Sequence, residues 1–453
     1  MIKYSKFFIT FLLAVIAVGA KSQSTATSSS PYSRYGLGDL TPSLLPQNLA
    51  MGGIATATNQ INGYSNINSL NPASYGYIRL TTIDVGVYSN TLTVNQTGHP
   101  SQTDANFRLS HLAFAIPVTH ASALSFGLLP YSQLGYNYKQ NLPKGFGTSP
   151  SGAGGPKVDT NSTNYLYQGE GGLSKAYFGY GITIFKHLSL GANVSYIFGD
   201  LKQYQSTEIP GLYGTLNSKI EQDNSIGGLN YDYGAQYAFD LSPTKHLTLG
   251  YSASAQSKLN SQSTYIVSQY TLDGNGVANV AADSLINQQN AKTKIQLPQI
   301  NHFGISYQED GKFLVGADYT MGKWSNLTIG GVNQSLVDSK TLNVGGQYTP
   351  NLNAIGSYWS TVDYRLGAIF DQSYLNVPNP TGNGFTNIKS YALTFGLGLP
   401  LRSTFTTTFY KINFSAEIGQ RGTVANGLVK ENYVNLHLGF MLNDRWFQKY
   451  KFD

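Results

Sequence analysis

The stretch Phe409-Tyr-Lys-Ile-Asn-Phe-Ser-Ala-Glu-Ile-Gly419 places Tyr410, Ile412, Phe414, Ala416 and Ile418 on one side of an extended chain and Lys411, Asn413, Ser415 and Glu417 on the other. Side chains of a strand alternate between its two faces, so one face here is apolar and the other carries charge. A transmembrane β-barrel strand has this pattern, with lipid outside and a wet lumen inside. The pattern recurs along almost the whole chain. A soluble β-sandwich or propeller also alternates, but it carries more surface charge and does not segregate long loops to one end.

Composition agrees. Charged residues make up 11% of the 453, well below the roughly 25% of ordinary soluble domains, yet no segment after the leader is apolar for long enough to span a bilayer as a helix. Gly (49) and Tyr (33) are abundant, which suits close strands and aromatic girdles, and the absence of Cys excludes disulfides, thiolate metal sites and a lipid-modified cysteine.

Lys3 and Lys6 precede the apolar run Phe7 to Ala20, and Ala20-Lys21-Ser22 offers small residues at both specificity positions of a signal-peptidase site. Residues 1–22 therefore read as a signal peptide; the run is too short for a transmembrane anchor. Removing Lys3, Lys6 and Lys21 takes the 29 basic residues to 26 against 23 acidic ones. That leaves no basic patch that would call for nucleic acid.

Up strands are expected to begin near Ile83, Ala123, Leu188, Leu247, Phe313, Tyr358 and Phe409, and down strands near Phe107, Tyr165, Ile226, Ile295, Lys340, Ile388 and Tyr433. The count is about fourteen, each strand of roughly ten residues. Connectors after Val118, Phe185, Leu241, Gln308, Tyr348 and Pro400 read as short turns; Gln140–Asn164, Lys202–Asn224, Lys258–Ala291 and Tyr374–Phe385 read as long loops. Bacterial barrels keep short turns periplasmic and long loops outside, so the parity orients the chain in a Gram-negative outer membrane. The fold expected is all-β: an antiparallel transmembrane barrel over 81–453.

Residues 23–80 do not alternate. Small residues and turn formers dominate Gln47 to Thr58 and Ser69 to Tyr75, while Leu44, Leu45, Leu49, Met51, Ile54 and Ile67 supply apolar contacts that a solvated tail would not need. The segment suits a plug inside the lumen.

A leader, a small-residue segment with Asn71-Pro72-Ala73 and about fourteen strands together resemble the FadL family of outer-membrane transporters for long-chain fatty acids and other hydrophobic compounds. The segments Tyr32–Asp39 and Asn443–Asp453 depart from it as a diverged branch would. The resemblance implies an N-terminal hatch with Asn71, Pro72 and Ala73, membrane lipid and a hydrophobic small molecule as partners, no cofactor, and a wall opened by a kinked third strand. The residues supply their own reason for that kink. Pro130 cannot donate to the ladder, and Gly127 and Gly135 permit bending, although a bulge without an opening would use the same residues. FadL-like barrels also serve in type 9 secretion, so the likeness carries a second function: a subunit that engages an outer-membrane or secretion protein partner.

By parity Asp84, Arg108, Asn193, Asp232, Gln236, Asp318, Asp363, Arg365, Lys411, Glu417, Arg421 and His437 point inward, with Val85, Val194, Tyr233, Tyr319, Tyr364 and Leu438 outward. Mixed signs favour pairing with each other and with the plug over a selective ring. None of His111, His302 and His437 sits in a nucleophile or metal motif, so neither catalytic nor metal-ligating residues are expected. Intact-mass measurement of the exported protein should give a chain beginning at Gln23; a retained leader contradicts the assignment of residues 1–22.

Overall fold

The computed structural model describes residues 30–60, 63–142, 162–210, 214–273, 275–279, 283–401 and 408–446. The expected leader lies outside them, as do Phe146 and Tyr213 in the expected loops Gln140–Asn164 and Lys202–Asn224 and the final residues from Phe447. Fourteen antiparallel strands close into a barrel, β1 pairing with β14 from Thr81↔Asp444 to Asn95↔Lys430. The strands are β1 (Thr81–Asn95), β2 (Gln102–Thr119), β3 (Ser122–Leu142), β4 (Thr163–Ile184), β5 (Leu188–Glu208), β6 (Asn217–Ser242), β7 (Lys245–Ser254 with Ser257–Tyr270), β8 (Asp283–Gln289, Thr293–Leu297 and Ile300–Glu309), β9 (Phe313–Gly322), β10 (Ser339–Tyr348), β11 (Asp363–Pro378), β12 (Phe385–Leu401), β13 (Phe409–Gly422) and β14 (Lys430–Asp444). β7 and β8 are broken but continuous in pairing, since both pieces of β7 meet β6. No described helix is long and apolar enough to cross a membrane.

Two expectations about connectors fail. Residues 349–362 are not a short turn, and no strand starts at Tyr358; β11 begins at Asp363. Pro350, Asn351, Asn353 and Gly356 break the two-residue period, and alternation resumes only at Asp363. Most strands are also longer than ten residues, β6 reaching 26, while β9 and β10 have ten. Lys202–Glu208 and Asn217–Asn224 form a hydrogen-bonded ladder, as does much of Lys258–Ala291, so Leu142, Tyr265 and Tyr270 lie on strands instead of loops. Polar side chains on both faces hid these extensions, because the ladder is held by backbone bonds that do not require an apolar face.

Burial differs between the two faces of the wall. Val194, Tyr233, Tyr319 and Tyr364 are exposed on the outer face, while Asp84, Asn193, Asp232, Gln236, Asp318, Asp363, Arg365, Lys411 and His437 are buried on the inner one. Residues 30–80 lie against that inner face. They start at the loop end, where Ser30 Oγ donates to Glu431 Oε1 (2.6 Å) and the Tyr32 hydroxyl donates to the Val429 carbonyl. They finish at the turn end, where Asn443 Oδ1 accepts from Ser65 N (2.9 Å) and its Nδ2 donates to Ser65 O (3.1 Å).

The contact is made by backbone meeting backbone at a belt of wall glycines. Gly181, Gly191 and Gly234 are register partners across β4, β5 and β6, as are Gly250 and Gly304 on β7 and β8, and Gly316, Gly345 and Gly367 on β9, β10 and β11. A Cβ at Gly191 would strike Pro72, at Gly250 the Thr56 carbonyl, at Gly345 that of Met51, and at Gly367 the Gly52 amide. No flexible side-chain end is available to yield at these places. Gly367→Ala should therefore destabilise the barrel by about 1–3 kcal/mol or more. Thermal unfolding followed by heat-modified gel mobility checks this; a variant as stable as the parent contradicts the close approach.

Candidate functional site

Beyond the belt, side chains complete the seal. Asp318 Oδ2 accepts from Ala55 N and Thr56 N (both 2.7 Å), Ser306 Oγ donates to Ala57 O (2.8 Å), and Thr394 Oγ1 accepts from Gly52 N (2.8 Å). Asn71 caps the short helical turn Pro72–Tyr77 by accepting from Ala73 N (3.1 Å), and its Nδ2 donates to Thr56 O (2.6 Å). Asn71, Pro72 and Ala73 thus sit together inside the barrel, buried against β5 and β6. Tyr75, with its hydroxyl donating to Asn193 Oδ1 (3.2 Å), is wholly buried, and burial holds its pKa well above the ordinary phenol value.

Near the turn end, Asp363 receives Lys411 Nζ (2.6 Å) and Arg365 Nη2 (3.0 Å), while Arg365 Nη1 reaches Asn413 Oδ1 (2.8 Å) and its Nε reaches Gln347 Oε1 (2.7 Å). Lys411 also lies over the ring of Tyr64, 3.7 Å from its centroid. Burial first, then the Asp363 charge, pushes the Tyr64 pKa up to about 12. Asp232 is similarly held by Lys175 Nζ (2.6 Å), and Arg421 by Asp39 (2.8 Å) from the inner segment. Glu417 lies inward beside Tyr433 and Asn435. These charges pair with one another or with residues 30–80, as their mixed signs require.

The lumen is not polar throughout. Its loop half holds Leu134, Leu173, Ile197, Leu201, Ile226, Leu259, Ile295, Leu375 and Ile388 from the wall, packed on Tyr32 and Leu37 of the inner segment. The inward list read from the sequence names only polar residues, and these apolar ones are absent from it. Apolar residues on both faces of a strand give no alternation to read.

This packed apolar core abuts a breach in the wall. The β2–β3 ladder runs only from Thr119↔Ser122 to Leu112↔Leu128. Above it, β2 residues 102–111 pair with β1 alone, and β3 residues 129–142 pair with β4. Pro130 sits at the point of divergence, with a register shift between Pro130 and Ser132, and Gly127 packs against Leu112 just below. The distortion continues sideways through Gly171 (φ 114°) and Gly199 (φ 149°), positions where other residues would be strained. The free edge of β3 is satisfied from inside: the two-residue strand Asp39–Leu40 pairs with Gln133 and Ser132, Thr41 N donates to Tyr131 O (2.9 Å), and Gly135 N donates to Ser33 Oγ (3.1 Å).

A cavity of about 510 Å³ opens here, lined by Leu109, Leu128, Leu129, Pro130 and Leu173 and by the polar side chains of Arg108, His111, Gln133, Glu170, Asp200 and Lys202. Arg108 crosses the breach to hydrogen-bond Gln133 and lies over Tyr88, 4.7 Å from its centroid. His111 is fixed between Asp84 Oδ1 (2.9 Å) and Ser110 Oγ (3.2 Å). Sequence reasoning found Pro130 and Arg108 but missed Ser33, Asp39 and Gln133, whose roles come from sites far apart in the chain. The inward glycines were a readable signal, since Gly recurs at positions of inner parity on strand after strand.

A fourteen-stranded barrel with a buried N-terminal segment and one divergent strand pair is a FadL-type fold. Solved structures share it: a FadL homologue of Pseudomonas aeruginosa (13% identity, TM-score 0.54, 90% of this chain and 100% of that one), the toluene transporter TodX of Pseudomonas putida (13%, 0.53, 89% and 98%) and the monoaromatic hydrocarbon channel CymD (14%, 0.51, 91% and 99%). The BamG family model matches residues 1–453, and the chain belongs to the BamG family. A comparison with curated proteins gives no match. The FadL likeness thus holds for the fold, while the family is BamG.

Replacing Asp363 by Ala leaves Lys411 and Arg365 buried without their counter-charge, so stability should fall by about 3–5 kcal/mol. Denaturant titration of the purified barrel reads the loss; a change below measurement error contradicts the network's role.

Proposed function

We propose that the protein passes hydrophobic small molecules through the outer membrane, with residues 30–80 as a hatch and the breach beside Pro130 as a lateral exit. The observation that carries this reading is the cavity at the breach, whose apolar lining meets the packed loop-side core at Leu173. A hydrophobic solute needs an apolar lining of this kind. Below that core the wall glycines hold the inner segment against the wall, so a sideways route into the bilayer needs no displacement of the hatch. TodX and CymD, which share the fold, are described as a toluene transporter and a monoaromatic hydrocarbon channel. The class of solute proposed is a small apolar molecule, fatty-acid-like or aromatic.

A second reading, a subunit that engages an outer-membrane or secretion partner, draws on the 349–362 connector. It carries no charge and exposes Ile355 and Trp359 at the turn end, an apolar surface of the kind that marks protein contacts. Native mass spectrometry of the barrel taken from its own membrane in mild detergent separates the two. A stoichiometric apolar ligand supports passage; a co-purifying protein without such a ligand supports the subunit role.

Pro130→Val restores a ladder donor. Uptake of toluene or a fluorescent fatty acid by cells producing this variant should slow while barrel formation is unaffected. Uptake at the parental rate removes the lateral exit.

A further inference from the structure

The two sides of the breach are treated unequally. On β3 the backbone released by β2 is taken up by Asp39–Leu40, Thr41 and Ser33. On β2, the backbone of residues 102–111 has no partner on the breach side among the described residues, and only the Arg108 side chain reaches across, to Gln133. Alternate residues of a strand direct their N–H and C=O groups to the same side, so this edge presents a row of bare donors and acceptors. It does so at an apolar level of the wall, for Phe107 and Leu109 on the outer face are 59% and 54% exposed. Unpaired backbone facing lipid costs several kcal/mol per group, and open sheet edges there are otherwise not found. A hydrocarbon solute cannot relieve this, having no hydrogen-bonding groups.

A second observation points the same way. Arg108 Nε is buried without a hydrogen-bond partner although the guanidinium lines the cavity. Gln133 occupies only part of its donor fork, leaving room for an acceptor on whatever lies along β2.

We infer that the β2 edge, residues 102–111, is a strand-addition site for an extended segment of a partner polypeptide, seated in the breach with a carboxylate or amide side chain turned inward to Arg108. The facing edge shows the physics at work, since an extended segment already adds antiparallel to β3 there. The guest would alternate apolar residues towards lipid with polar or small ones towards the lumen, and its main-chain bonds would supply the affinity. This goes beyond solute passage: a seated strand fills the opening a solute would use.

The chain has no cysteine, so Phe107→Cys on the full-length barrel allows a single tether. The probe is a ten-residue peptide copying Leu128–Asn137 with valine in place of Pro130 and one terminal cysteine, joined by a disulfide. Its control is the same peptide N-methylated at alternate residues. Amide hydrogen exchange in mild detergent should slow about tenfold or more across residues 102–111 with the plain peptide and stay at the untethered rate with the methylated one. Equal exchange with both peptides overturns the proposal. So does an untethered edge that already exchanges as slowly as the closed β13–β14 ladder. The readout involves no solute, so it stands or falls apart from the transport reading.

Discussion

Backbone-to-backbone contact between the inner segment and the wall is the constraint from which the rest of the structure follows. An interior about as wide as fourteen strands allow could be a water-filled channel. Here it is filled by a chain that lies so close to the wall that only hydrogens fit at Gly191, Gly250, Gly345 and Gly367. Such proximity lets side chains from many strands bond the main chain of residues 50–58 directly, with Asp318, Ser306, Thr394 and Gln236 each meeting a different backbone group. Many polar groups of the inner face thereby find partners on the inner segment, and the charged pairs around Asp363 and Asp232 can be buried because their partners are held in place.

The same segment also governs the place where β2 and β3 part. A proline in a ladder normally costs a bond and bends a strand. At Pro130 the bend separates β3 from β2, and the exposed edge of β3 persists because Asp39–Leu40 lies beside it, anchored on the far side by Arg421 and by the Tyr374 hydroxyl donating to Gly38 O (2.9 Å). The breach and the strap across the lumen are one construction. Its surroundings combine the leucines of both wall faces with the Arg108–Gln133 bridge.

Much of this was legible in the sequence, for identifiable reasons. Two-residue alternation marked the strands wherever the two faces differ in polarity, as at Lys411 to Ile418, and it gave the inward direction of Asp318, Asp363 and Arg365. Where both faces are polar, as along Gln203–Thr207, or where the inner one turns apolar, as at Ile197 and Leu201, the signal disappears although the strand continues. The connector 349–362 was misread because Trp359 and Tyr358 look like strand residues. Pro130 and its flanking glycines announced a distortion, but a ladder that ends on one side only is a pairing between distant segments. So is the match of Asp39 with Gln133. No local pattern encodes either.

The route of the inner segment, from Glu431 at one end of the lumen to Asn443 at the other, bears on how the molecule can be assembled. Ser30 and Glu431 are 401 residues apart in the chain, and Ser65 and Asn443 are 378 apart. All of these grips are on β14, the strand that also zips to β1. Closing the cylinder and locking its contents are therefore a single late event, dependent on contacts of the longest sequence separation and hence slow. Until the last strand arrives, the inner segment has a concave sheet to lie on but no clamp. Topological entrapment then adds to binding affinity in retaining it, since the closed cylinder surrounds a segment whose C-terminal end continues into β1.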